Sequence, residues 1–191
     1  MSLLRAFIAL EIPVSLQDAI QQQTAGLREA AGSSVRWVAV RNLHLTLKFL
    51  GDVSPSSIQF LNQMLAAEAA KYPCFSMLLG GLGAFPSAKR PRVVWIGIQA
   101  PPELENLQHN VEAGAARLGY GAEERPFSPH LTIGRVRQTA TASEQHRLRR
   151  SLESIKIGRI GRAEIKTITL MKSDLQPTGS VYTCLFSTPL S

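Results

Sequence analysis

Apolar and polar positions alternate with two different periods along this chain. Leu3 to Leu10 is a nearly continuous apolar run closed by Glu11 and Pro13, which predicts a buried strand. Leu16, Ala19, Ile20 and Leu27 recur at helical spacing, predicting a helix from a Ser15 cap to about Ala30, stopped by Gly32. Val35 to Val38 and Leu43 to Leu50 read as strands, the second ended by Gly51-Asp52. Ser54-Pro55 opens a helix to about Tyr72. Phe75 to Leu79 and Arg92 to Ile98 are two further strands, joined by a Gly-rich basic loop from Gly80 to Pro91.

Pro101-Pro102 starts a helix to about Leu118, and Gly121 to Pro129 is a charged loop. His130 to Val136 is a strand, and Ser143 to about Ile155 a strongly basic helix. Two β-rich runs end the chain, Arg162 to Lys172 and Val181 to Ser187, separated by a Pro177-Gly179 turn. Helices and strands mix without a strict βαβ alternation, so the fold class is α+β with mainly antiparallel pairing. No Ser/Gly/Pro-rich linker divides residues 1–191, so any two halves must pack as one domain.

Composition narrows the functional classes. Hydrophobic residues make up 45% and charged residues 18% of the 191, which excludes a disordered chain. Cys74 and Cys184 are too isolated for a disulfide framework or a zinc site, and their apolar flanks predict buried thiols. No segment matches a secretory signal or a membrane span, so the expectation is a soluble, cytoplasmic protein. The formal charge of +7 points towards polyanions, and it is lopsided. Residues 1–85 carry six basic and five acidic side chains, residues 86–191 fifteen and nine. Basic residues cluster at Lys89-Arg90-Arg92, Arg135-Arg137 and Arg147-Arg149-Arg150, and the last group reads as solvated helix surface.

The chemistry lies in an internal echo. His44-Leu45-Thr46-Leu47 recurs 86 residues later as His130-Leu131-Thr132-Ile133. Strand side chains alternate faces, so each copy sends one imidazole and one hydroxyl to one side and two apolar groups to the other. One His-x-Thr is ordinary strand surface, but two of the four histidines in matching tetrapeptides are not. His109 and His146 fall on predicted helices among polar residues and read as surface. Imidazole titrates near neutrality, so a pair can supply a general base and a general acid. In-line displacement at phosphorus needs one on each side, and Thr hydroxyls can bond phosphate oxygens without adding charge. No HxxxH, acidic cluster or CxxC suggests a metal, and no G-x-x-x-x-G-K-[ST] suggests an ATP site.

These residues resemble the 2H phosphoesterases, a family defined by two His-x-Thr-x motifs, and most closely the RNA 2′,3′-cyclic phosphodiesterase or 2′-5′ RNA ligase-like branch. Arg5 to Leu10, Asn42 to Gly51, Phe85 to Gly97, Arg125 to Arg135 and Ser173 to Tyr182 carry the resemblance. It implies a bilobal fold of two pseudo-symmetric lobes around a central groove. It also implies metal-independent hydrolysis of an RNA 2′,3′-cyclic phosphate end to a 2′-phosphate, with reversible 2′-5′ ligation by the same groups. His44 would be the proton donor and His130 the proton acceptor, with Thr46 and Thr132 holding the phosphate. Arg135 would reach the phosphate, although simple alternation aims it away from His130 unless Gly134 bulges the strand. Phe49 shares that opposite parity, which leaves core packing and base stacking both open. Arg125 and Arg5 are candidate backbone contacts, and the Lys89 to Arg92 loop a candidate RNA-facing surface. The implied partner is an RNA with a cyclic phosphate terminus, such as a tRNA fragment, bound by a monomer without cofactors. The alternatives are a non-catalytic nucleotide or RNA-end binding module, and a 2H enzyme acting on a small cyclic nucleotide derivative.

Overall fold

The structure is a computed structural model that describes residues 2–176 and 179–191. Its described strands form one nine-stranded sheet in which every pairing is antiparallel. The elements are β1 (Leu4–Glu11), α1 (Val14–Gln23), α2 (Ala25–Ala31), β2 (Val35–Trp37), β3 (His44–Val53), α3 (Ile58–Ala69), β4 (Phe75–Phe85), β5 (Val93–Gln99), α4 (Pro102–Arg117), β6 (His130–Val136), α5 (Ala142–Ser154), β7 (Arg159–Ile165), β8 (Thr167–Gln176) and β9 (Gly179–Pro189). The sheet order is β7-β4-β5-β6-β3-β1-β8-β9, with β2 also paired to β6.

This order divides the sheet at one seam. β3, β1, β8 and β9 form one half, against which α3 and α4 pack. β6, β5, β4 and β7 form the other, where α1 lies on β7, α2 on β2 and α5 on β4. The halves meet where β3 pairs with β6 through the single partner pair Leu45 and Leu131. Beyond that point β3 peels away, and β2 takes its place beside β6 at Val35 to Trp37. Antiparallel strands that separate after one pair leave a groove between two lobes, so the α+β, bilobal expectation holds.

Alternation builds the core. On β1, Ala6, Ile8 and Leu10 face the helices and join the main cluster, while Phe7 and Ala9 form a small second cluster with Met171 on the opposite face. β1 is therefore covered on both sides, which explains why its sequence reads as an unbroken apolar run. Full burial of Ile8, Leu10, Leu45 and Ile96, each worth about 1.5–3 kcal/mol, anchors the strands that carry the site.

Several elements differ from their expected bounds. The helix expected over Ser15 to Ala30 is two helices, because buried Thr24 folds its hydroxyl back onto the Ile20 carbonyl at 2.7 Å and the chain turns there. Pro13, rather than Ser15, occupies the N-cap position. Pro55–Ser57 forms a 3-10 turn before α3, which ends at Ala69, short of Tyr72. The expected loop from Gly80 is instead strand as far as Phe85. Gly81, at φ +77°, absorbs an irregularity after Leu79 and lets β4 resume pairing with β5. The run Arg162 to Lys172 is two strands broken at Lys166, one on β4 and the other on β1. Cys74 and Cys184 are exposed, not buried. Cys74 immediately precedes β4, and Cys184 lies on the edge strand β9. Pro177 of the expected turn lies outside the described residues, and Gly179 begins β9.

Candidate active site

The seam assembles the two echoed tetrapeptides. Leu45 and Leu131 are the same position of the repeat, and they face each other across it. A local two-fold relation therefore passes between them. Both are fully buried, so their neighbours His44, Thr46, His130 and Thr132 project together from the opposite, groove face. In this register Thr132 stands across from His44 and Thr46 across from His130. The imidazoles thus sit on the diagonal of the crossing.

The two imidazoles are held alike. His44 Nδ1 lies 2.7 Å from the Asn42 carbonyl and His130 Nδ1 2.6 Å from the Ser128 carbonyl, each two residues upstream. A carbonyl only accepts, so Nδ1 carries the hydrogen and Nε2 is left for proton exchange. Thr46 Oγ1, 3.1 Å from His44 Nε2, donates to it when the ring is neutral.

Aromatic rings brace both groups. Phe7 stacks on His44 at 4.8 Å and Tyr182 meets it edge-on at 5.2 Å. Phe85 packs edge-on against His130 at 4.9 Å, with Trp95 at 6.3 Å. Desolvation by this packing holds both imidazoles below their ordinary pKa, against the opposing pull of the carbonyl bonds. The Arg135 charge depresses His130 further.

A bulge completes each motif. On β6, Trp95 pairs with Thr132 but Val94 pairs with Gly134, so Ile133 is the extra residue. Ile133 and Gly134 are both buried, and Arg135 returns to the groove face exposed. On β3, Ala9 pairs with Thr46 and Ile8 with Lys48, so Leu47 is the extra residue. Leu47 and Lys48 are both buried, and Phe49 emerges at 59% exposure. Phe49 and Arg135 are thus equivalent positions, each five residues after its histidine. The bulge expected at Gly134 re-aims Arg135, and its unexpected twin takes Phe49 out of the core. Lys48, turned inward, pairs its ammonium with Glu112 of α4 and the Gly121 carbonyl.

The remaining candidates lie further out. Arg5 shares the groove face of β1 with Phe7 but is exposed near the strand start, paired in register with Asp52. Arg125 is exposed in the loop before β6 and ion-paired with Glu123 at 3.1 Å, and among the described residues it forms no hydrogen bond with either histidine. Lys89, Arg90 and Arg92 are exposed on the loop that leaves Phe85 beside His130. His109 and His146 are exposed on α4 and α5. A cavity of about 230 Å³ adjoins His44, lined also by Glu11, Arg41, Asn42, Tyr182 and Cys184. Of the bracing aromatics Trp95 alone carries a parity signal, lying between the buried core residues Val94 and Ile96, whereas Phe7 is hidden in the continuous apolar run of β1. Among the described residues, no three His, Cys, Asp or Glu side chains converge to hold a metal ion. No described helix is long and apolar enough to cross a membrane.

Two antiparallel half-sheets delivering a His-x-Thr pair each to one groove define a 2H phosphoesterase. A sequence model of the 2′-5′ RNA ligase superfamily matches residues 13–176, and the chain belongs to that family. It is 33% identical over 180 residues to an RNA 2′,3′-cyclic phosphodiesterase of Archaeoglobus fulgidus, covering 94% of this chain and 96% of the relative. A second enzyme of that name, from Methanothermobacter thermautotrophicus, is 30% identical over 179 residues, covering 94% and 95%. The crystal structure of Escherichia coli LigT complexed with 3′-AMP superposes with a TM-score of 0.75 at 29% identity, covering 99% of each chain.

Proposed function

We propose that this chain hydrolyses RNA 2′,3′-cyclic phosphate ends to 2′-phosphates without a metal. The observation that carries the reading is the Leu45–Leu131 pairing, which turns both His-Thr pairs into one groove. The names of its relatives supply the substrate class. His130 Nε2 accepts a proton from water as the water oxygen bonds to phosphorus. The bond from phosphorus to the 3′-oxygen breaks, and His44 Nε2 donates a proton to that oxygen. The products are a 2′-phosphate and a 3′-hydroxyl. Thr46, Thr132 and Arg135 hold the nonbridging oxygens, and exposed Phe49 offers its face to a base. A 5′-hydroxyl in place of water would leave a 2′-5′ linkage through the same steps. The assignment of His44 as acid follows the family resemblance. It also fits the asymmetry of the two motifs, because exposed Phe49 stands where the second motif carries Arg135 and can stack on the nucleoside that carries the leaving oxygen.

The test is turnover of a short RNA ending in a 2′,3′-cyclic phosphate, in excess EDTA. The expected product is a 2′-phosphate. Binding without turnover would leave only a binding module, loss of activity with chelator would overturn the metal-free mechanism, and a 3′-phosphate would reverse the leaving group.

A further inference from the structure

Where β3 peels away from β6, β2 brings an unassigned residue to the groove. Arg36 is the register partner of Arg135, with Val35 opposite Val136 and Trp37 opposite Gly134. Val35 is buried in the core, and Trp37 packs against it. Arg36 therefore shares the groove face with Arg135, and both are exposed. Directly opposed residues stand about 4.5–5.5 Å apart at Cβ, and like charges placed so repel each other. Neither arginine forms an ion pair among the described residues. Two unneutralised guanidiniums side by side on the groove face, one of them five residues along β6 from His130, form a site for more than one anionic group.

We propose that Arg36 binds the internucleotide phosphate on the 5′ side of the terminal nucleotide, while Arg135 takes the cyclic phosphate. This rests on the reading of His44 and His130 given above and narrows its substrate to an oligonucleotide end. Consecutive phosphates flank a single ribose, and two long guanidinium arms on adjacent strands can reach both. A mononucleoside cyclic phosphate has no group for Arg36. The site thus favours RNA ends over small cyclic nucleotides without reading any base.

The experiment compares kcat/KM for a mononucleoside 2′,3′-cyclic phosphate with that for a dinucleotide ending in the same group. Wild type prefers the dinucleotide, and Arg36→Gln lowers that preference by roughly tenfold, the worth of one charge-assisted hydrogen bond. The slope of log kcat/KM for the dinucleotide against log salt becomes shallower by about 0.7, the signature of one lost phosphate contact. Arg36→Lys restores most of the salt slope. Thermal stability of Arg36→Gln is unchanged or raised, because a repulsion is removed; a merely structural arginine would lower it. No dinucleotide preference in wild type, or an unchanged preference and salt slope in Arg36→Gln, overturns the proposal. Wild type that turns over neither substrate overturns the phosphodiesterase reading instead.

Discussion

Gly83 stands beside the site without contributing a side chain to it. Trp95 lies across it, with Cη2 and Cζ2 only 2.2 Å from where a Cβ on Gly83 would sit. Carbon atoms rest at about 3.5–4.0 Å, so Gly83→Ala must drive the indole back by roughly 1.3 Å or more. The ring has little room to retreat. Phe85 lies 5.3 Å away and His130 6.3 Å away, ring centre to ring centre. Overpacking of this kind costs about 1–3 kcal/mol. For a chain of this size each kcal/mol lowers Tm by about 2–4 °C, so a fall of about 2–12 °C is expected. Displacing the brace of His130 by about 1 Å should also lower kcat on the order of 10²-fold. Thermal melts and steady-state kinetics on cyclic-phosphate-ended RNA measure the two effects. Gly26→Ala is the control, since a Cβ there meets nothing within 4 Å and lies on α2. It should hold or raise Tm. A Gly83→Ala protein with unchanged Tm and kcat would refute the claim that Trp95 braces His130.

Two further predictions address the histidines. His44→Ala should cost about 10²–10⁴ in rate on an RNA cyclic phosphate, yet little on a phosphodiester with a p-nitrophenolate leaving group, which needs no proton. His130→Ala should lose activity on both, and the opposite pattern would exchange their roles. Burial lowers both imidazole pKa values, so raising the pH through about 6.5 removes the proton that the acid must donate. The profile of kcat/KM should be bell-shaped with its maximum below about pH 6.5, its limbs belonging to the coupled pair. A plateau persisting above about pH 7.5 is incompatible with this electrostatic account.

Local pattern carried much of the site. The repeated His-x-Thr, the strand alternation around it and the inward course of Leu45, Leu47, Leu131 and Ile133 are all legible along the chain. Gly134 even marked the bulge that turns Arg135 outward, since a Cβ there would strike Val35 and Trp37. Nothing local marked the twin bulge at Leu47-Lys48, because its cause is distant. Lys48 is tolerated inside by Glu112, 64 residues away on α4. The exposure of Phe49 follows from that pairing and could not be separated from core packing beforehand.

By itself the sequence determined two short amphipathic strands, each carrying an imidazole and a hydroxyl on one face, because a period of two is a property of the strand backbone alone. Tertiary structure decided that the copies meet at Leu45 and Leu131, that Phe7, Tyr182, Phe85 and Trp95 dry the two rings, and that Arg36 joins Arg135. Register between strands 86 residues apart is set by how their buried faces pack against the helices. The groove face inherits its chemistry from that choice.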